Sequence, residues 1–291
     1  MADLSPRHAE IKPAGTEPDF YHKKIGKWTL LVQKDIALEE AAKFISLLNL
    51  NSPEAGSCKR VRSSSSARVF LTTFLRGNVK TDVYVKHYLF RSGFDYIKHL
   101  FRPGRGKRAF HASLMLRRSG FQAPEPLVLI QKSLGPFKTQ AILVTEAKKS
   151  AVQLSARLGE LVRAAGPSAF EEKRRLLSCF GHLIGRLHHQ GIIHGDLRTG
   201  NVLVEIGKKG DFSFWFIDNE RTRKYHDPPL KLIKKNLVQI NMFRQGISNT
   251  DRLRFMKAYA GARELSDAEM HILIKHVLDR TRQRLAKKGR I

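Results

Sequence analysis

Residues 191–204 read GIIHGDLRTGNVLV, and within that stretch Asp196, Arg198 and Asn201 place a carboxylate, a guanidinium and a carboxamide between two apolar runs. Gly195, Thr199 and Gly200 are ordinary turn residues between a helix and a strand. A turn alone has no need of the charged and amide groups beside them. Those groups suit phosphoryl transfer, which needs an acceptor hydroxyl aligned with the γ-phosphate and compensation of charge on the phosphate oxygens. Asp196 would orient the hydroxyl and accept its proton. Arg198 would bridge to the γ-phosphate, and Asn201 would offer an amide oxygen to Mg2+, a hard cation that prefers oxygen ligands.

His194, Asp196, Leu197 and Asn201 also stand at the spacing of the protein-kinase catalytic-loop signature, histidine, any residue, aspartate and leucine, then asparagine. In that pattern the histidine is a structural hydrogen-bonder. A second Mg2+ ligand belongs at the end of the next hairpin, where FWFIDNERTR places Asp218 after the apolar run Phe214 to Ile217. In VYVKHY, Val83, Val85 and His87 alternate with Tyr84, Lys86 and Tyr88, so Lys86 shares a strand face with two tyrosines. A strand lysine of this kind holds the α- and β-phosphates of ATP in kinases.

The elements that must position these groups are legible in outline. Residues 1–24 are polar and punctuated by Pro and Gly, and read as a loosely ordered segment. Residues 25–146 read as a small β-rich lobe. Its strands are expected at 27–32, 67–75, 82–90, 123–130 and 140–146, with a turn ending at Asn78 and one helix at 107–120. From residue 147 to 291 the chain reads as a mostly helical lobe. Leu176, Phe180, Leu183, Ile184 and Leu187 recur at helical intervals, and NVLVEI and FSFWFID form a hairpin joined by GKKGD. The expected fold is therefore α+β, two-lobed and protein-kinase-like.

Lys plus Arg number 53 against 26 Asp plus Glu, a formal charge of +27, so anionic partners are favoured. No apolar run is long enough to cross a bilayer, and the first residues lack the apolar core of a signal peptide, which places the expected chain in the cytoplasm. Cys58 and Cys179 stand far apart with no metal-ligand spacing. The basic residues are spread along the chain without an RNP-like or helix-turn-helix signal, which argues against nucleic acid as the partner.

Beyond the kinase signature, VYVKHY, GFQAPEPL, LVTE, LHHQGIIHGDLRTGNVLV, FIDNERTR, KNLVQINM and TDRLRFMKAY resemble the lipopolysaccharide core kinases, relatives of heptose and 3-deoxy-D-manno-octulosonic acid (Kdo) kinases. The resemblance runs from about residue 60 to residue 260, and Asp-Asn-Glu-Arg at 218–221 is its most discriminating piece. It implies ATP- and Mg2+-dependent phosphorylation of a heptose or Kdo hydroxyl in the inner core. It also implies a lipopolysaccharide or similar anionic glycolipid acceptor and peripheral contact with the anionic cytoplasmic face of the inner membrane.

Three places depart from the kinase pattern. The expected glycine-rich loop is replaced by CKRVRSSSSARV, in which Ser64 and Ser65 are the candidates for backbone contact with phosphate, a solvated loop being the other reading. The helix after Lys86 contains no acid to pair with it, and His111 lies near the expected place. No Ala-Pro-Glu segment follows Asp218, which argues against a regulated protein kinase. The link between lobes falls at Thr145-Glu146-Ala147, so backbone groups of Glu146 and Ala147 are candidates for adenine binding. The alternatives are another kinase-like phosphotransferase acting on a protein serine or an aminoglycoside-type alcohol, or an inactive pseudokinase that binds anionic surfaces.

Overall fold

The computed structural model describes residues 10–11, 19–46, 59–61, 67–88, 103–134, 137–287 and 289. The chain divides into a sheet unit, residues 13–118 and 123–148, and a helical unit, residues 1–12, 119–122 and 149–291.

β-branched and aromatic residues in alternation build the sheet unit. Its seven strands are antiparallel and lie in the order β2-β3-β7-β8-β6-β5-β4. They are β2 (Phe20–Ile25), β3 (Trp28–Gln33), β4 (Lys59–Val61), β5 (Ala67–Arg76), β6 (Val79–Tyr88), β7 (Pro126–Leu134) and β8 (Phe137–Glu146). Side chains of opposite parity go to opposite faces. Val83, Val85, Val128, Ile130, Ile142 and Val144 pack with Ala41 and Phe44 of α1 (Leu38–Ser46). Tyr88, Leu129 and Leu143 pack with Ala109 and Phe110 of α2 (Arg105–Arg118).

Within the segment expected to be loose up to residue 24, the residues from Phe20 on belong to the sheet. Phe20 to Ile25 form β2 in register with β3, from Phe20 opposite Gln33 to Ile25 opposite Trp28. The turn is closed by Gly26 at φ +54°, a left-handed conformation that glycine adopts without a Cβ penalty. β2 is an edge strand whose side chains from Tyr21 to Ile25 are exposed. Phe20 packs edge-on against Phe110 with ring centres 4.9 Å apart; beyond it the pairing rests on backbone hydrogen bonds, and FYHKKI carries no apolar alternation to announce it.

The helical unit contains α3 (Leu154–Ala164), α4 (Pro167–His189), α5 (Leu230–Asn241), α6 (Asn249–Arg263) and α7 (Asp267–Ala286). Among the described residues it also holds two small sheets. One is ordered β1-β13-β10, from β1 (Glu10–Ile11), β10 (Ile192–Ile193) and β13 (Arg223–Tyr225); the other is ordered β12-β11-β9, from β9 (Val152–Gln153), β11 (Val202–Ile206) and β12 (Phe212–Phe216). Pro167 starts α4 at its first turn, where the missing N–H is not needed. Leu176, Leu177, Phe180, Ile184 and Leu187 bury its inner face. α4 and α6 approach closely because of two glycines: a Cβ on Gly181 would lie 2.3 Å from the Phe255 carbonyl oxygen, and one on Gly185 would lie 2.6 Å from that of Tyr259. Among the described residues no helix is long and apolar enough to cross a membrane.

Candidate active site

The loop between α4 and β11 is shaped by close backbone approach. Gly191 has φ +75°, and a Cβ there would meet the Tyr225 carbonyl oxygen at 2.1 Å. Ile192 and Ile193 then pair with Lys224 and Arg223 of β13. Gly195 has φ +77°, and a Cβ there would lie 2.5 Å from the Arg221 carbonyl oxygen. This explains why the residue between His194 and Asp196 is glycine: no side chain fits between the loop and the segment after Asp218. The loop leads through buried Leu197 into a 3-10 turn at Thr199–Asn201 and then into β11.

Asn201 and Asp218 are brought to one end of the β11–β12 hairpin by its register. Val202 is opposite Phe216, and the Ile217 N–H donates to the Asn201 carbonyl at 3.0 Å. The Asn201 side-chain Nδ2 donates to the Asp196 carbonyl oxygen at 2.8 Å, which leaves Oδ1 as the oxygen a cation would meet. Asp218 adopts φ 61°, ψ 42°. This left-handed conformation is uncommon for a residue with a Cβ, and such strain collects at functional sites. The next residue anchors it: Asn219 is buried, donates from Nδ2 to the Phe216 carbonyl at 3.0 Å, and accepts the Thr222 N–H on its own carbonyl at 2.9 Å. An asparagine oxygen and a carboxylate are hard donors fitted to Mg2+, whose other positions water and phosphate oxygens commonly fill. Among the described residues no group of three or more His, Cys, Asp or Glu is arranged to hold a metal.

His194 is fully buried and lies behind the loop. Its Nε2 is 3.1 Å from the Ile217 carbonyl, which can only accept, so Nε2 carries the proton. Burial pushes its pKa below the ordinary value, with the Ile217 carbonyl and the carboxylates of Asp218 and Asp196 opposing that shift. A buried neutral imidazole bonded to the residue before Asp218 ties the two ends of the site together. Thr222 adds a second tie by donating from Oγ1 to the His194 carbonyl at 3.1 Å.

The Asp196 carboxylate receives two donors on Oδ1: Gln239 Nε2 at 3.1 Å and Arg198 Nε at 2.9 Å. The Arg198 side chain is 69% exposed, so its pairing with Asp196 is a solvent-screened contact worth little by itself. Gln239, on α5, is buried. Behind it, Asn236 Nδ2 donates to Gln239 Oε1 at 3.1 Å, and His188 lies between Asn236 Oδ1 at 3.2 Å and the Tyr259 hydroxyl at 3.0 Å. Burial pushes the His188 pKa down to about 4, with the Asn236 bond opposing and the Arg263 charge adding to the shift. Burial likewise raises that of the Tyr259 hydroxyl. None of Gln239, Asn236, His188 and Tyr259 is marked individually in the sequence. Their signal is a set of polar side chains on the inner faces of apolar helices.

In the sheet unit Lys86 lies on the face of β6 that carries α2, its Nζ 5.1 Å from the centre of the Tyr88 ring. The described α2 residues contain no acid, and His111 is stacked edge-on against Phe110 with ring centres 5.4 Å apart. Glu146 and Ala147, whose backbone groups are the expected candidates for adenine, stand at the end of β8. The Glu146 N–H donates to the Glu125 carbonyl and the Ala147 N–H to the Asp82 carbonyl, both at 2.9 Å. These two donors are committed to the sheet unit. The Glu146 carboxylate pairs with Lys148 Nζ at 2.6 Å. Ser64 and Ser65 lie outside the described residues.

Comparison with known proteins adds the family. Residues 95–259, more than half of the chain, match the model described as the lipopolysaccharide kinase (Kdo/WaaP) family. A curated relative is the KEOPS complex subunit Bud32 of Pyrococcus abyssi (strain GE5 / Orsay), 34% identical over 65 residues, which are 22% of this chain and 30% of that protein. Another is the EKC/KEOPS complex subunit BUD32 of Coccidioides immitis (strain RS), 34% identical over 91 residues, 29% of this chain and 28% of that protein. The chain thus spans less than a third of the length of either curated relative. Among solved structures, WaaP in complex with acyl carrier protein is similar with a TM-score of 0.61 and 19% identity, over 87% of this chain and 98% of that one. The likeness at that identity is one of fold.

Proposed function

Because the chain belongs to the lipopolysaccharide kinase (Kdo/WaaP) family, we propose that it transfers the γ-phosphoryl group of ATP to a heptose or Kdo hydroxyl of the lipopolysaccharide inner core. The acceptor oxygen forms a bond to the γ-phosphorus while the bond from that phosphorus to the bridging oxygen breaks, and ADP leaves. Asp196 orients the acceptor hydroxyl and takes its proton. Its Oδ1 is occupied by Gln239 and Arg198, so Oδ2 is the oxygen that meets the hydroxyl. Arg198, exposed and only weakly held in its pairing, swings to the γ-phosphate oxygens.

Asn201 Oδ1 and the Asp218 carboxylate would hold Mg2+, which when bound neutralises developing charge on the phosphates. Lys86 holds the α- and β-phosphates, the Glu146 and Ala147 carbonyls face adenine, and Ser64 and Ser65 cover the phosphates. The formal charge of +27 suits an acceptor that carries phosphates and carboxylates on an anionic bilayer, with the chain held peripherally at its cytoplasmic face. An acyl carrier protein is a further proposed partner, carried over from the similar solved complex.

The observation that carries this reading is the assembly of Asp196, Asn201 and Asp218 at one hairpin end by backbone register and the Asn201 side-chain bond. The test is incubation of purified protein with labelled ATP, Mg2+ and lipid A bearing one to three core sugars, followed by the mass of the product. Asp196→Asn should stay folded, bind Mg-ATP and lose transfer by about 10²- to 10⁴-fold. Wild-type turnover in that variant removes the assigned base.

A further inference from the structure

We propose that Gln239 is a positioning residue for Asp196, the last link of a buried chain of donors that begins at Tyr259. The inference rests on the reading of Asp196 as the base and concerns what holds that base in place.

Two backbone N–H groups fix the direction of the whole chain. The Leu197 N–H lies 3.1 Å from one end of the Gln239 amide and can only donate, so that end is Oε1. The other end is therefore the NH2 group, and it faces Asp196 Oδ1 at 3.1 Å. The His194 N–H, 3.3 Å from Asn236, fixes that amide in the same way, with Oδ1 toward the loop and Nδ2 toward Gln239 Oε1. His188 Nε2 must then donate to Asn236 Oδ1, which leaves Nδ1 to accept the Tyr259 hydroxyl proton. Every donor meets an acceptor, and the last acceptor is the carboxylate.

Gln239 thus grips both the Asp196 side chain and the peptide after it. Asn236 and His188 have no exposed surface, and a buried network that is fully satisfied holds one geometry. Arg198 has a different role on the same oxygen. It is exposed, and if it leaves for phosphate the carboxylate keeps its buried, uncharged donor. A base kept in line by a neutral group retains its orientation while the charged neighbour moves.

The experiment uses the full chain, labelled ATP and dephosphorylated lipopolysaccharide of truncated core. Gln239→Glu keeps the acceptor oxygens for Leu197 and Asn236 but sets a carboxylate against Asp196; Gln239→Leu removes donor and acceptor together. Both should lower kcat about 100-fold, the cost typical of a small misplacement of a reacting group, with the KM for ATP within about twofold of wild type. In the Asp196→Asn background Gln239→Glu should change kcat by less than about twofold, because it acts through Asp196. A crystal structure of Gln239→Leu should show the Asp196 carboxylate turned from its wild-type direction, a readout that needs no turnover. Wild-type kcat in Gln239→Glu alongside a dead Asp196→Asn, or an unmoved carboxylate in Gln239→Leu, overturns the positioning role alone. Full activity in Asp196→Asn overturns the base and the positioning role together.

Discussion

Lowering the pH from 7 to 5 should cost the helical unit about 2 kcal/mol of stability through His188 alone. The ring is fully buried, with one nitrogen donating to Asn236 and the other accepting from Tyr259. Protonation would turn the accepting nitrogen into a second donor aimed at a hydroxyl, near the positive charge of Arg263. Burial first, and that charge after it, hold the folded pKa near 4, against 6.5 in the open chain. Between those values the unfolded chain binds a proton that the folded chain refuses. The contribution is therefore fully present above pH 6.5 and is lost as the pH falls toward 4, by about 3 kcal/mol in the limit and about 2 kcal/mol by pH 5. Urea unfolding monitored by Trp215 fluorescence, in a Trp28→Phe background that silences the sheet unit, measures it at pH 7, 6 and 5. His188→Gln cannot titrate and should lose about 2 kcal/mol less than its parent over that range. Equal pH slopes in the two proteins, or an NMR titration of the His188 ring with its midpoint near 6.5, would show that His188 does not carry the pH dependence.

The close packing of α4 on α6 predicts that Gly185→Ala lowers stability by about 1 to 3 kcal/mol, read by thermal unfolding. The added Cβ would lie 2.6 Å from both the Tyr259 carbonyl oxygen and the Ala262 Cβ, and helix backbone cannot give way as a flexible side chain does. Gly195→Ala should instead leave the far helices intact and depress transfer, because a Cβ 2.5 Å from the Arg221 carbonyl oxygen pushes the loop from the segment after Asp218. Hydrogen exchange should show faster opening confined to residues near 192–197 and 219–225, and uniform destabilisation would argue against it.

The sheet unit is readable wherever one strand face is buried. Alternation in VYVKHY announces β6, and the structure puts Val83, Val85 and His87 inward while Lys86 stays half-buried beside Tyr88. β2 escapes because an edge strand can be held by its backbone while its side chains remain in water. The apolar period from Leu176 to Leu187 announces α4 but not its start. The helix begins well before Leu176, at Pro167, where a Gly-Pro pair in sequence looks like a loop. Glu172 is thereby well inside the helix, where it receives Nε and NH2 of Arg157 at 2.9 Å and 2.6 Å.

At the site, legibility depends on contact distance along the chain. Asp196 and Asn201 belong to one loop, and their bond closes over five positions, so type and spacing together declare them. Asp218 is one hairpin away, and a hairpin is a local structure that alternation and a glycine-containing turn predict. Gln239 reaches Asp196 across 43 positions, and His188 reaches Tyr259 across 71. No local pattern encodes such pairings; an isolated glutamine on an amphipathic helix looks like a polar-face residue until the helix docks. What the chain does record is the cost of leaving such a group unpaired, since an amide buried without partners would destabilise the fold by about 1 to 3 kcal/mol. A polar residue on the inner face of an apolar helix is therefore a sign that a partner exists, and here pursuing that sign leads from α6 through α4 and α5 to the carboxylate that would do the chemistry.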